Sequence, residues 1–253
     1  MIRGIIFDYG GTLDSRGVHW SEVLWDGFSR YLNHDSQRPG QGQALQGGGH
    51  SVTKERFREA YVHGERKLAR ERIILPQDDF GTLLFKKVTI EVGYMADKGW
   101  LPSNVDEGSL RDFVAGYCDA RAKECIEEAR PVLETLAARY PMMLVSNFYG
   151  NIDSVLRAYG IRDYFRGIIE SAVVGVRKPN PTLFRLGVDA LELPADEVLV
   201  VGDSLKKDIL PAESLGCPVL WLKGKGWTEE EDAQTHPAMI KSITDVPGRV
   251  YSM

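Results

Sequence analysis

Residues 4–14 read GIIFDYGGTLD, in which an apolar run of four residues ends abruptly at Asp8. Short apolar runs of this kind are typical of strands buried on both faces of a parallel sheet. The same form recurs in MMLV at 142–145 and VLVV at 198–201, and VLWL at 219–222 is a fourth candidate. The chain is therefore predicted to contain a parallel β-sheet.

Polar residues follow three of these runs at the point where each strand should end. The first run stops at Asp8, the second at Ser146 and the third at Gly202 and Asp203. In open α/β sheets, ligands bind outside the carboxyl ends of the strands. The three polar endings therefore predict one common site at that edge of the sheet.

Helical patterns separate the candidate strands in the second half of the chain. Apolar residues recur at helical spacing over 131–140, 151–159 and 181–191. Strands that alternate with helices indicate a doubly wound, Rossmann-like α/β core with a parallel sheet.

The stretch between the first strand and the rest of the core has a different pattern. Helices are expected at 20–32, 53–74, 80–95 and 109–125, with no strand between them, and 33–50 is a loop rich in Gly, Gln and Ser. We therefore expect an all-helical insertion. The predicted division is an α/β core of residues 1–14 and 129–253 and a helical insertion of residues 15–128.

Composition limits the classes of partner. The formal net charge is -5 and no long basic run is present, which argues against nucleic acid as a partner. The three cysteines have no CxxC spacing and predict neither a disulfide framework nor a zinc site. No stretch reaches the ~20 apolar residues of a membrane span. A cytoplasmic protein without a membrane partner is the default expectation, and the sequence does not indicate an oligomeric state.

Asp8 is followed, after one residue, by Gly10 and Gly11. An acid at a strand end before such a turn presents its carboxylate, and the glycines allow backbone N–H groups to approach an anion. The alternative is an acidic residue that only ends a strand before a turn.

Asp203 and Asp208 form a second acidic cluster, the first on a loop and the second in the helical turn that follows. Carboxylates from two strand ends, with loop carbonyls, suit Mg²⁺, which prefers oxygen ligands. Asp203 could instead cap the next helix. Its pairing with Asp8 favours the metal.

The other two polar stretches supply groups that could bind phosphate. Ser146 and Asn147 end the second strand, where a hydroxyl and an amide can donate to phosphate oxygens or cap a helix. Lys178 lies in GVRKPNP at 175–181, where two prolines stiffen the loop. A cation on a rigid loop can neutralise a phosphoryl group and an attacking carboxylate; the alternative is a solvated surface lysine.

Taken together, four stretches resemble the motifs of the haloacid dehalogenase superfamily in their order and spacing. They are FDYGGTLD at 7–14, LVSN at 144–147, GVRKPNPTLF at 175–184 and VVGDSLKKDI at 200–209. The resemblance covers the core, and the insertion agrees with the cap of that family by position and helical character. It implies a Mg²⁺-dependent hydrolase that acts on a small phosphorylated metabolite, either a phosphomonoester or an acyl phosphate.

The resemblance also implies roles for residues of the first and last motifs. Asp8 would be the nucleophile and would form an aspartyl-phosphate. A carboxylate oxygen of Asp8, the backbone carbonyl of Gly10 and Asp203 would hold Mg²⁺. Asp208 would support the metal directly or through water.

The remaining roles concern the phosphoryl group. Thr12, Ser146 and Lys178 would bind it, and Lys178 would also assist catalysis. Asn147 would shape the loop or contact the substrate.

Gly10 departs from the family pattern. Phosphatases of the family usually carry a second Asp at this position, two residues after the nucleophile, as general acid and base. Metal ligation by the backbone carbonyl survives, but acid–base catalysis does not unless another group provides it. Asp14 and His19 lie nearby in the sequence, and nothing in the sequence places them in the site.

Three functions remain open on this sequence. The first is a phosphatase with unusual acid–base provision. The second is a carbon–halogen hydrolase, because dehalogenases of the family also lack the second Asp, although they lack the acid that Asp203 represents and generally do not need Mg²⁺. The third is a non-catalytic binder of a phosphorylated ligand. Asp203 favours phosphate chemistry.

Overall fold

The computed structural model describes residues 1–35 and 52–253 of the chain. Most of the loop predicted at 33–50 lies outside the described residues. Within them the chain forms two compact units. The first, called here the core unit, consists of 1–20 and 121–253, and the second, called the helical unit, is 21–120.

The core unit contains a six-stranded sheet in which every pair of neighbouring strands is parallel. The strand order is β3-β2-β1-β4-β5-β6. The strands are β1 Gly4–Phe7, β2 Met142–Ser146, β3 Gly167–Glu170, β4 Val198–Gly202, β5 Val219–Leu222 and β6 Met239–Ile240. The predicted doubly wound α/β core is confirmed, and β3 and β6 are strands that the sequence pattern did not indicate.

The four predicted strands are buried along their whole length because they lie in the middle of the sheet. β1 is central, with Ile5 aligned with Met142 on one side and with Leu199 on the other. The chain proceeds outward in one direction through β2 and β3, and in the other through β4, β5 and β6. This reversal is a topological switch point, where open α/β sheets bind ligands.

Helices of the core unit connect these strands. One of them, α7 Thr182–Leu191, is amphipathic and buries Leu183, Phe184 and Val188 against side chains of the sheet such as Ile6 and Val145. The helices that follow β2 are α5 Ile152–Ala158, α6 Ser171–Val174, α7 Thr182–Leu191, α8 Leu210–Glu213, α9 Glu229–Ala233 and α10 Val246–Val250. A π-helical turn at Leu205–Ile209 precedes α8.

Only helices are found in the described part of 21–120. In the described ranges before β2 the helices are α1 Trp20–Asp35, α2 Lys54–Arg70, α3 Phe80–Asp97 and α4 Glu107–Ala137. α2 and α3 pack against each other, with Glu91 of α3 against Gly64 of α2 and Lys87 of α3 over the ring of Tyr61. The cap boundaries expected from the sequence, after residue 14 and before residue 129, remain a proposal.

α4 corrects one sequence prediction. Separate helices were expected at 109–125 and 131–140, with Pro131 in the first turn of the second, but one helix runs through Pro131 without interruption. A proline removes one backbone donor and usually breaks a helix interior. Here Arg130 donates to Glu127 over the preceding turn, and the Thr135 hydroxyl donates to the Pro131 carbonyl at 2.7 Å.

Among the described helices none has the length and apolar character needed to cross a membrane.

Candidate active site

Asp8 lies immediately after β1, where its backbone N–H still donates to the carbonyl of Val201 in β4 at 2.9 Å. Its side chain is buried, with 4% of the residue exposed. Carboxylate atom Oδ1 accepts hydrogen bonds from Ser146 Oγ at 3.0 Å and from Lys178 Nζ at 2.6 Å, and Oδ2 accepts one from Thr12 Oγ1 at 3.3 Å. Three of the predicted phosphate-binding groups therefore meet at this carboxylate.

Lys178 is buried between two carboxylates. Its Nζ lies 2.6 Å from Asp8 Oδ1 and 2.7 Å from Asp208 Oδ1. Burial acts to lower the pKa of Lys178, but the negative charges of Asp208 and Asp8 outweigh it and raise the pKa. The lysine therefore stays protonated, and a solvated surface position is excluded.

Asn147 holds the loop that carries Lys178. The amide Nδ2 donates to the Lys178 carbonyl at 3.1 Å, and the Lys178 backbone N–H donates to Asn147 Oδ1 at 2.9 Å. This pair of bonds connects the end of β2 with a loop 31 residues away, in which the Lys178–Pro179 peptide is cis. Of the two roles expected for Asn147, these contacts support shaping of the loop.

Three carboxylates converge beside this lysine. Asp8, Asp203 and Asp208 each offer an oxygen, and these oxygens lie within 4.8 Å of one another. Burial, then the charges of Asp208 and Asp8, raise the pKa of Asp203 well above its usual value. Burial also raises the pKa of Asp208, against the opposing effect of Lys178. The Lys178 ammonium contacts two of these three acids, Asp8 and Asp208.

This donor set fits Mg²⁺. The ligands are hard carboxylate oxygens, close enough together for one small cation to contact more than one of them. Burial, and after it the charges of Asp208 and Asp8, disfavour the ionised form of Asp203, and a divalent cation would favour that form. Gly10, whose carbonyl is the other expected ligand, lies in the turn two residues after Asp8.

The two glycines of that turn differ in the space around them. Gly11 has φ +96°, and a Cβ placed on it would lie 2.2 Å from the carboxylate of Asp203. Only glycine permits this approach between the turn and the acid. A Cβ on Gly10 would meet no atom within 4 Å.

Asp14 anchors the same turn from its far end. Its Oδ1 accepts a hydrogen bond from the Gly11 N–H at 2.7 Å, and its Oδ2 accepts one from Trp20 Nε1 at 3.0 Å. Burial raises the pKa of Asp14 to about 7, although these two hydrogen bonds act to lower it. The ring of His19 packs edge-to-face on Trp227, with centroids 5.1 Å apart.

Two further residues support the site, and the sequence pattern did not single them out. Trp221 Nε1 donates to the Asp203 carbonyl at 2.6 Å, a contact made possible because Trp221 is aligned with Gly202 in the neighbouring strand. Glu170 is aligned with Ser146 and accepts from the Gly150 N–H at 2.5 Å, which holds the loop after β2. Glu170 is the last residue of β3 and Trp221 the penultimate residue of β5, positions that could have identified them once the strand order was known.

Comparisons with known proteins agree on one family. The family model for haloacid dehalogenase-like hydrolases matches residues 2–216. Phosphoglycolate phosphatase of Yersinia pseudotuberculosis is 34% identical over 122 residues, which are 47% of this chain and 52% of that protein. The chain spans about half the length of such curated relatives.

Solved structures share the fold at low sequence identity. The HAD-family protein YfnB from Bacillus subtilis, in a crystal form bound to magnesium, is similar with a TM-score of 0.54 and 15% identity, covering 98% of both chains. The L-2-haloacid dehalogenase PA0810 gives a TM-score of 0.55 at 17% identity, covering 99% of this chain and 100% of that one. At these identities the two likenesses show a shared fold and do not distinguish between activities.

Proposed function

Because the chain belongs to the family of haloacid dehalogenase-like hydrolases, we propose that it hydrolyses a small phosphorylated molecule in a Mg²⁺-dependent reaction through a covalent intermediate on Asp8. The observation that carries this proposal is the convergence of Ser146, Thr12 and Lys178 on the Asp8 carboxylate, with two further acids beside it. A phosphoryl group that approaches Asp8 meets these donors together.

In the first step a carboxylate oxygen of Asp8 attacks phosphorus. The bond from phosphorus to the leaving oxygen breaks, and its electron pair departs with that oxygen. The Ser146 and Thr12 hydroxyls and the Lys178 ammonium can turn from the carboxylate to the phosphoryl oxygens, because donors placed where charge develops stabilise the transition state. Asn147 keeps Lys178 in place for this role.

Asp8, the Gly10 carbonyl, Asp203 and Asp208 are the residues that would hold Mg²⁺. When bound, the ion supplies positive charge that lets a carboxylate and a phosphate approach each other. Trp221 fixes the backbone at Asp203, and Gly11 gives its carboxylate room.

The second step returns the enzyme to its starting state. Water attacks the phosphorus of the aspartyl-phosphate, the bond between phosphorus and the Asp8 oxygen breaks, and inorganic phosphate leaves. The same donors that receive the phosphoryl group hold it for this attack. The relative named phosphoglycolate phosphatase supports phosphate chemistry for this site.

A carbon–halogen hydrolase is the second candidate, and Gly10 is the observation that favours it, because dehalogenases also lack an acid there. The cluster of Asp8, Asp203 and Asp208 favours the phosphatase, since a halide-releasing reaction has no use for so concentrated a negative charge. Turnover of phosphorylated compounds with Mg²⁺ and with EDTA separates the two.

The decisive experiment is detection of the covalent intermediate. The full chain is mixed with Mg²⁺ and a set of phosphorylated metabolites, quenched in acid and examined by mass spectrometry for a phosphoryl group on Asp8. We expect phosphorylation of wild type that EDTA prevents and that Asp8→Asn abolishes. Turnover that persists in Asp8→Asn would exclude Asp8 as the nucleophile, and a chain that binds phosphorylated ligands without turnover would be a non-catalytic binder.

A further inference from the structure

We propose that this site acts on phosphoryl donors whose leaving oxygen is weakly basic, of which acyl phosphates are the biological class. The inference rests on the phosphatase function proposed above and specifies its substrates. It follows from the surroundings of Gly10 and from the groups to which the nearby acids are already bound.

Gly10 leaves a space without an acidic side chain in the turn that follows the nucleophile. A Cβ at Gly10 has no neighbour within 4 Å, and the residue does not need positive φ, so a larger side chain would be accommodated. The absence of an acid here is therefore a property of the sequence and is not imposed by the backbone.

Asp14 is the nearest other acid in this turn, and its carboxylate is engaged on both sides. Oδ1 accepts from the Gly11 N–H at 2.7 Å and Oδ2 from Trp20 Nε1 at 3.0 Å, with 1% of the residue exposed. Turning this carboxyl group toward a substrate would break both bonds and release the turn. Asp14 is thus a positioning residue for the loop.

His19, the next candidate donor in the sequence, packs against the loop that follows β5. Its backbone N–H donates to the Lys225 carbonyl at 2.8 Å, and its ring packs on Trp227. The groups that hydrogen-bond to the Asp8 carboxylate are two hydroxyls, of Thr12 and Ser146, and the ammonium of Lys178. Hydroxyls are weak acids, and Lys178 is shared with Asp208.

The chemical consequence falls on the leaving group. When phosphorus moves to Asp8, the electron pair of the broken bond stays on the leaving oxygen, which departs as an anion unless it receives a proton. A carboxylate, with a pKa near 4, is stable as that anion, whereas an alkoxide is strongly basic. General acid catalysis contributes about 10²–10⁴-fold, so its absence penalises alkyl phosphates and leaves acyl phosphates almost unaffected.

The test measures the rate of Asp8 phosphorylation by rapid quench, which isolates the step in which the leaving group departs. Acetyl phosphate, 4-nitrophenyl phosphate, phenyl phosphate and glycerol phosphate are compared at saturating Mg²⁺. In wild type we expect the rate to fall steeply as the leaving oxygen becomes more basic. In Gly10→Asp the ratio of the rate with glycerol phosphate to the rate with acetyl phosphate should rise by about 10²-fold or more.

Gly10→Asn is the matched control, because it adds the same volume without an acid, and it should leave the steep dependence in place. A wild-type rate that is flat across the series would overturn the inference, as would equal gains in Gly10→Asp and Gly10→Asn. A steeper dependence in Asp14→Asn than in wild type would make Asp14 the acid and overturn it too. If no compound phosphorylates Asp8, the proposed function itself fails, which a flat series does not imply.

Discussion

The ammonium of Lys178 and the carboxylate of Asp8 lie 2.6 Å apart although 170 residues separate them in the chain. Neither residue lies within a helix or a strand. Asp8 follows β1, while Lys178 is brought to it by a loop that Asn147 holds at the end of β2. The same ammonium contacts Asp208 at 2.7 Å, so one cation connects the first and last motifs of the site.

Loss of this cation should destabilise the fold. In Lys178→Met, Asp8 and Asp208 remain buried without their counter-ion, and breaking a buried pair typically costs about 3–5 kcal/mol. We expect a lower free energy of unfolding in urea at neutral pH, partly restored by Mg²⁺, and loss of Asp8 phosphorylation. Lys206→Met removes an exposed lysine nearby and should stay within about 0.5 kcal/mol of wild type. Equal stability of the two variants would contradict the role of the ion pair.

The adjacent glycines provide a second test. In Gly11→Ala the new Cβ would lie 2.2 Å from the Asp203 carboxylate, on a backbone with φ +96° that costs a side chain about 1–3 kcal/mol. We therefore expect Gly11→Ala to be less stable and to bind Mg²⁺ more weakly by calorimetry. Gly10→Ala, with no neighbour within 4 Å, should keep both properties. A metal affinity that falls equally in both variants would show that Asp203 does not depend on the room at Gly11.

Asn147 should affect catalysis without affecting the metal. Asn147→Ala removes two hydrogen bonds to the backbone of Lys178, each worth about 1 kcal/mol. The displaced lysine should slow Asp8 phosphorylation about tenfold or more, while the Mg²⁺ dissociation constant stays unchanged. Asn180→Ala, in the same loop, removes a side chain that only accepts from the Thr182 N–H and should change neither quantity. Weaker Mg²⁺ binding in Asn147→Ala would argue against a positioning role.

The sequence predicted the centre of the sheet because a strand buried on both faces must be apolar throughout. β1, β2, β4 and β5 all lie within one residue of the expected runs. The edge strands carry a weaker signal: β6 has two residues, and β3 is only partly buried. Helices were predicted in both parts of α4, but its continuity through Pro131 was not. The local cost of the proline is outweighed by the packing of a long helix, in which Leu133 and Leu136 are buried.

The residues of the site also fall into a group that the sequence could predict and a group that it could not. Asp8, Ser146 and Asp203 could be brought together from strand ends alone, since parallel strands end at one edge. The supporting residues Trp221 and Glu170 could not, because their roles depend on which strands are neighbours. Asp14 was considered from sequence as a proton donor, and its hydrogen bonds to Gly11 and Trp20 instead support a positioning role.

Glu91 should make the stability of the helical unit depend on pH. The residue lies on α3 with no exposed surface, and neither carboxylate oxygen has a hydrogen-bond partner among the described residues. Its side chain packs against Gly64 of α2; Lys87, one turn earlier on α3, lies over the ring of Tyr61 and pairs with Glu65. Burial raises the pKa of Glu91 to about 8, against the opposing effect of Lys87.

The sign of the change in stability with pH follows from how many protons the folded and unfolded chains bind. Below the unfolded pKa of about 4.5 the carboxyl group is protonated in both states. Between that pH and about 8 the unfolded chain releases the proton while the folded chain keeps it, so stability falls as pH rises, by up to about 5 kcal/mol at 1.36 kcal/mol per unit.

Glu91→Gln keeps the shape and cannot ionise. We expect urea unfolding to give similar stabilities for wild type and Glu91→Gln near pH 4.5, and a more stable variant at pH 8. Asp14 also has a raised pKa, but it is present in both proteins, so the difference between the two profiles isolates Glu91. Parallel profiles from pH 4.5 to 8 would show that Glu91 is ionised in the folded chain.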